Sequence, residues 1–109
     1  MPKHYSRYLL LDVSINDSIT LDVVYSSITR LLLHLFGEFG LASINLRKIY
    51  SKDSYLVIRC RRETEHQVRS GILLLGFVFE TPVKLSVIKS SGTLKSIRSF
   101  LRKPSPNDL

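Results

Sequence analysis

The residues best suited to chemistry lie near the end of the chain, in KSSGTLKSIRSFLRK from Lys89 to Lys103. Ser91 can cap a following helix, Gly92 lets a ligand approach the backbone, and Thr93 completes the turn. The first N–H groups of such a helix point outward with partial positive charge. Lys95, Arg98 and Arg102 then recur at helical spacing. On a helical wheel Leu94, Ile97 and Leu101 share one arc with Phe100 at its edge, and the cations occupy the roughly opposite side. That combination suits a phosphate group. A capped surface helix whose glycine serves only the turn would carry the same residues.

A second basic group, RCRR, supplies Arg59, Arg61 and Arg62. The chain has 109 residues and a formal net charge of +7, with an isoelectric point near 9.9. Its distribution is uneven. Between Thr81 and Asn107 there is no carboxylate, yet Lys84, Lys89, Lys95, Arg98, Arg102 and Lys103 lie there. A solvated basic surface is one explanation. A polyanionic partner, nucleic acid above all, accounts better for the clustering.

Catalysis by the chain itself finds no support in these residues. No Ser or Cys has a plausible His-plus-acid set. Cys60 falls on an apolar strand, where a buried inert thiol is expected. His4, His34 and His66 are scattered, and His34 within LLLHLF reads as a structural histidine. The nine carboxylates show no spacing that suggests two-metal chemistry, although Asp12 and Asp22 could approach one another. No metal site is expected. A single cysteine excludes an internal disulfide and fits a reducing, cytoplasmic setting. The apolar run ILLLGFVF is too short to span a bilayer, and the N-terminal residues lack a signal-peptide cleavage pattern.

The elements that must position these residues follow from hydrophobic spacing. RYLLLDVS reads as a buried strand and INDSI as a connection. Leu21, Val24, Tyr25, Ile28, Leu31, Leu32 and Leu35 form the apolar stripe of a helix capped by Ser18 or Thr20. Gly37 and Gly40 are expected to stop it. ASINLRKIY alternates as a half-exposed strand from Ala42, SKDS turns, and YLVIRC returns as a second strand of a hairpin. Glu63, Thr64 and Glu65 open a second helix, with Val68, Ile72, Leu75 and Phe79 as its apolar positions and Gly71 weakening its middle. After Pro82, VKLSVIK alternates as a fourth strand, and the cationic helix closes the domain. Residues 1–103 are expected as one domain and 104–109 as a tail. The order β-α-β-β-α-β plus a terminal helix predicts an α+β, ferredoxin-like sandwich with a four-stranded antiparallel sheet.

That fold serves RNA-recognition domains, regulatory domains that bind small molecules or oligomerise, and small acyl-phosphate hydrolases. RNA-recognition domains that stack bases carry a glycine- and aromatic-rich third strand. Here that strand is SYLVIRC, with Tyr55 as its aromatic, and the first strand offers Tyr5 and Tyr8. Backbone recognition by cations and helix-start amides is the better expectation.

Four segments in order, RYLLLDV, FGEFGLA, VIRCRRE with Val68 and Arg69, and SSGTLKSIRSFL, resemble the ribonuclease P protein component 2 family of archaea. Its eukaryotic counterpart is the small subunit shared by ribonucleases P and MRP. The resemblance covers about residues 5–102 and is densest at Ser91, Gly92, Thr93 and Lys95, with Arg59 and Arg61 matching a basic strand end. Tyr55 and Leu56 depart from a Thr-Gly pair common in that family, and Gly71 from a helix-favouring residue. The resemblance implies an RNA-recognition-like subunit of an endonuclease that removes the 5′ leader of precursor tRNA. Its chemistry would belong to a catalytic RNA and Mg²⁺. It further implies a TIM-barrel protein partner, other ribonuclease P proteins, and a homodimer within a two-plus-two assembly.

Overall fold

Consecutive apolar residues decide the architecture. Leu9, Leu10 and Leu11 are all fully buried, as are Leu56, Val57 and Ile58. Successive side chains of a strand point to opposite faces, so such runs require a sheet covered on both sides. In the computed structural model, which describes residues 5–14, 20–78 and 84–102, this is what the chain builds. The elements are β1 (Ser6–Ser14), α1 (Leu21–Ile44), β2 (Arg47–Lys52), β3 (Tyr55–Arg61), α2 (Glu65–Val78), β4 (Lys84–Ser91) and α3 (Leu94–Arg102). The strands form an antiparallel sheet in the order β2-β3-β1-β4, the ferredoxin-like arrangement expected from the sequence.

One face carries Leu9, Leu11, Val13, Leu56, Ile58 and Cys60, packed against Val24, Ile28 and Leu32 of α1 and Val68, Ile72 and Leu75 of α2. The other face carries Leu10 and Val57, packed against Ile97 of α3. The terminal helix therefore lies across the sheet opposite the other two. Burying Ile97 contributes about 1.5–3 kcal/mol toward docking the helix, and the partly buried Leu94 and Leu101 add to it.

Thr20 caps α1, its hydroxyl accepting from the Val23 N–H at 3.3 Å. The alternative cap, Ser18, lies outside the described residues, as do the 15–19 connection, Phe79, Pro82, Lys103 and the 104–109 tail. The expected stops at Gly37 and Gly40 are corrected by the structure. Gly37 adopts φ 76° and ψ 179°, which kinks the path, and the helix then resumes to Ile44. Gly40 is needed for space, since a Cβ there would lie 2.6 Å from Phe36 Cβ. The stop is Asn45, in the left-handed region at φ 51°, with its N–H donating to the Leu41 carbonyl. Residues 42–44, expected to begin a strand, are the last helical turn, and β2 begins at Arg47. Ala42, Ile44 and Leu46 alternate, but Leu41 and Ile44 also satisfy an i, i+3 helical pair, and a short window does not separate the two.

A 3-10 turn at Arg62–Thr64 precedes α2. Gly71 has a positive role there, because a Cβ on it would lie 2.6 Å from Leu32 Cδ2. It lets α2 approach α1 closely, which offsets its helix-propensity cost of about 1 kcal/mol.

Gly37 occupies a backbone region essentially confined to glycine. Gly37→Ala has open space around its new methyl group, so its cost is conformational alone. It is expected to lower unfolding free energy by about 1–3 kcal/mol in urea titrations.

Candidate nucleic-acid interface

Ile97 seats α3 on Leu10 and Val57, with Leu94 and Leu101 partly buried beside it. The helix begins at Leu94, which makes Thr93 its cap in place of Ser91. The Thr93 hydroxyl accepts from the Ser96 N–H at 3.3 Å, while Ser91 Oγ accepts from the Thr93 N–H at 3.2 Å. Ser91, Gly92 and Thr93 thus form a hydrogen-bonded turn between β4 and α3. A Cβ on Gly92 would stand 3.6 Å from Arg7 Nη1, an ordinary contact. Arg7, absent from the sequence-based set, is therefore a cation beside this turn.

The cations of α3 lie on a flank rather than opposite the apolar arc. Arg98 places its guanidinium 5.9 Å from the centre of the Tyr50 ring on β2. Phe100, on the other flank, lies under Lys89 of β4 at 5.7 Å. Lys95 and Arg102 are exposed and share the Arg98 side of the helix. The cationic flank consequently faces the β2 edge of the sheet.

Strand register brings the second basic group toward the same face. Arg47, Arg59 and Tyr8 stand directly across from one another, with Ser91 next in the row. Arg59 is two residues from Val57 and Arg61 two further, so both point to the α3 face. Arg62 does not join them. It begins the 3-10 turn, where its N–H donates to the Tyr5 carbonyl at 2.9 Å.

Tyr8, Tyr50 and Tyr55 all pack around α3 in the second apolar cluster. The sheet face that stacking RNA-recognition domains leave open is thus occupied by this helix. Aromatic residues are present, but they are partly covered.

One carboxylate anchors the arrangement. Glu65, the first residue of α2, accepts from Arg7 Nε at 3.0 Å and Ser90 Oγ at 2.7 Å, and from Arg69 Nε at 3.2 Å. Burial pushes the Glu65 carboxyl upward, but the Ser90, Arg7 and Arg69 donors outweigh it and hold it below its ordinary value. These hydrogen bonds join α2 to β1 and to the end of β4, one residue before the Ser91 turn.

The remaining candidates are structural or separate. Cys60 is buried, and burial pushes its thiol up to about 11. His34 is exposed, contrary to the structural role expected. Asp22 pairs with Lys48, while Asp12 Oδ1 accepts from Ser54 Oγ at 3.4 Å. Among the described residues no three or more His, Cys, Asp or Glu side chains come together to hold a metal ion, and no helix is long and apolar enough to cross a membrane.

The Glu65 hydrogen bonds define a pH effect. Its folded-state affinity for a proton is lower than in the unfolded chain, so its contribution is complete above the unfolded value of about 4.3 and is lost as pH falls through the folded value. Wild type should exceed Glu65→Gln in urea midpoint at neutral pH. The gap should close on acidification.

Comparison with known proteins matches this geometry to a lineage. A model of the Rpp14/Pop5 family matches residues 7–102. Ribonuclease P protein component 2 of Methanobrevibacter smithii is 29% identical over 107 residues, covering 90% of this chain and 89% of that protein. The protein of the same name from Methanosphaerula palustris is 27% identical, and the match covers 90% of this chain but 62% of that longer relative. A chain in the cryo-EM structure of yeast ribonuclease MRP shares the fold at a TM-score of 0.61 and 15% identity, covering 94% of this chain and 89% of its own length. The matched span includes all four strands, both sheet-covering layers and the cationic helix, and on that ground the chain belongs to the Rpp14/Pop5 family.

Proposed function

We propose that this chain is an RNA-binding protein subunit of a ribonuclease P-type ribonucleoprotein, the RNA-based endonuclease that removes the 5′ leader of precursor tRNA. The observation that carries the reading is the meeting of two cationic sets on one face. Lys95, Arg98 and Arg102 flank α3, and Arg47, Arg59 and Arg61 project from the strands beneath it. Ser91, Gly92 and Thr93 bring backbone and hydroxyl groups to the start of that helix, with Arg7 at hand. Arg62, displaced onto the 3-10 turn, is peripheral in this scheme.

The mechanism is electrostatic. The cations neutralise phosphates that would otherwise repel one another when the catalytic RNA compacts. The isolated chain performs no hydrolysis in this scheme. No step is assigned to a protein-bound metal, and Mg²⁺ would be held by the RNA. A TIM-barrel subunit, further ribonuclease P proteins, a second copy of this chain in a two-plus-two assembly and a cytoplasmic site of action complete the proposal, on the strength of the family membership.

Lys95→Ala, Arg98→Ala and Arg102→Ala, combined in the full chain, test it. The logarithmic salt dependence of RNA binding should become shallower by about 0.7–0.9 for each phosphate that is no longer neutralised. Precursor-tRNA cleavage by the reconstituted particle should then require more Mg²⁺. An unchanged slope with unchanged cleavage would contradict the assignment. A specific response of the chain to a small metabolite, without RNA binding, would favour a regulatory domain.

A further inference from the structure

A groove runs between α3 and the edge strand β2, with a volume of about 360 Å³. It is lined by Ile49, Tyr50, Lys52, Arg98, Leu101 and Arg102. This size falls within the range of about 300–1,000 Å³ typical of small-ligand sites. We infer that the groove receives one unpaired nucleotide of an RNA strand, its base against Tyr50 and Arg98 and its phosphate between Lys52 and Arg102. The inference rests on the RNA-binding reading above and assigns it a specific nucleotide-sized site.

Chemistry selects the occupant. The lining contains three cations and, among the described residues, no carboxylate, so a neutral or cationic ligand is disfavoured. Inorganic phosphate alone would make no use of the Tyr50 ring or of the apolar Ile49 and Leu101 walls. A fully paired duplex offers phosphates but no free base face. An unpaired nucleotide supplies both parts at once. Aromatic rings and guanidinium planes are the two surfaces on which unstacked bases settle, and here they stand together at 5.9 Å.

The local backbone explains why Tyr50 and Lys52 face this groove. The β2–β3 register shifts between Lys48 and Tyr50, after which Tyr50 pairs with Val57 and Lys52 with Tyr55. Val57 and Tyr55 belong to the α3 side of the sheet, so Tyr50 and Lys52 share it. Without that shift both would point toward the α1 side. The irregularity re-aims a ring and a cation into the space beside α3.

Binding of the full chain to a single-stranded RNA about ten nucleotides long, and to the duplex formed with its complement, tests the site. Tyr50→Leu keeps an apolar group in the α3 cluster but removes the ring. It should weaken single-strand binding about tenfold without changing the salt slope, and leave duplex binding unchanged. Tyr50→Phe should bind as wild type does. Lys52→Ala, at an exposed position, should lower the single-strand salt slope by about 0.7. Equal effects of Tyr50→Leu on both RNAs, or none on the single strand, would overturn the inference. Binding that depends on Lys95, Arg98 and Arg102 but ignores Tyr50 and Lys52 would remove the nucleotide site and leave the RNA-binding reading standing. A chain that binds neither RNA would contradict both.

Discussion

The seating of Ile97 between Leu10 and Val57 is the interaction on which the charged surface depends. The sheet has two apolar faces, and α1 with α2 can cover only one of them. Leaving Leu10 and Val57 exposed would be unfavourable, and α3 resolves this with a single fully buried residue and two partly buried neighbours. Once Ile97 is fixed, helical geometry leaves little freedom. Arg98 must fall toward β2 and Phe100 toward β4, as their positions against Tyr50 and Lys89 show.

Charge and packing are thereby linked. A nine-residue helix is too short to persist alone in water, so its cations have a defined direction only while it is docked. The Glu65 cluster contributes at the other end. It ties β1, α2 and Ser90 together immediately before the turn that launches α3, and it engages the Nε–H groups of Arg7 and Arg69 with a carboxylate. The face near α3 has a different balance, because Arg47 and Arg59 stand opposite one another across the strands. Adjacent like charges of that kind are unfavourable within the protein and become favourable beside a polyanion.

Much of this is legible in the sequence, for identifiable reasons. The strand-helix order and the amphipathic terminal helix carry strong periodic signals, the polar SKDS segment marks a hairpin turn that the structure confines to Asp53 and Ser54, and the four segments that resemble one family lie in the matched span. The consecutive buried runs LLL and LVI also imply a sheet covered on both faces, though they do not say which element covers the second one. The end of α1 is easily misread because glycine commonly ends helices, whereas Gly37 kinks this one and Asn45 ends it. Gly71 looks like a weakness because propensity ignores the neighbour it admits, Leu32. Tyr50 and Lys52 escape a sequence reading for a sharper reason. Strict alternation assigns them to the wrong face, and a register shift of one residue leaves no reliable mark in RKIYSK.

The central claim is that RNA meets this chain on the α3 side of the sheet with α3 still docked. Amide hydrogen exchange of the full chain, with and without the catalytic RNA, tests it most directly. The account predicts added protection across α3, the Ser91–Thr93 turn and β2, with α1 and α2 little changed. Added protection confined to α1 and α2, or faster exchange in α3 as it leaves the sheet, would contradict it.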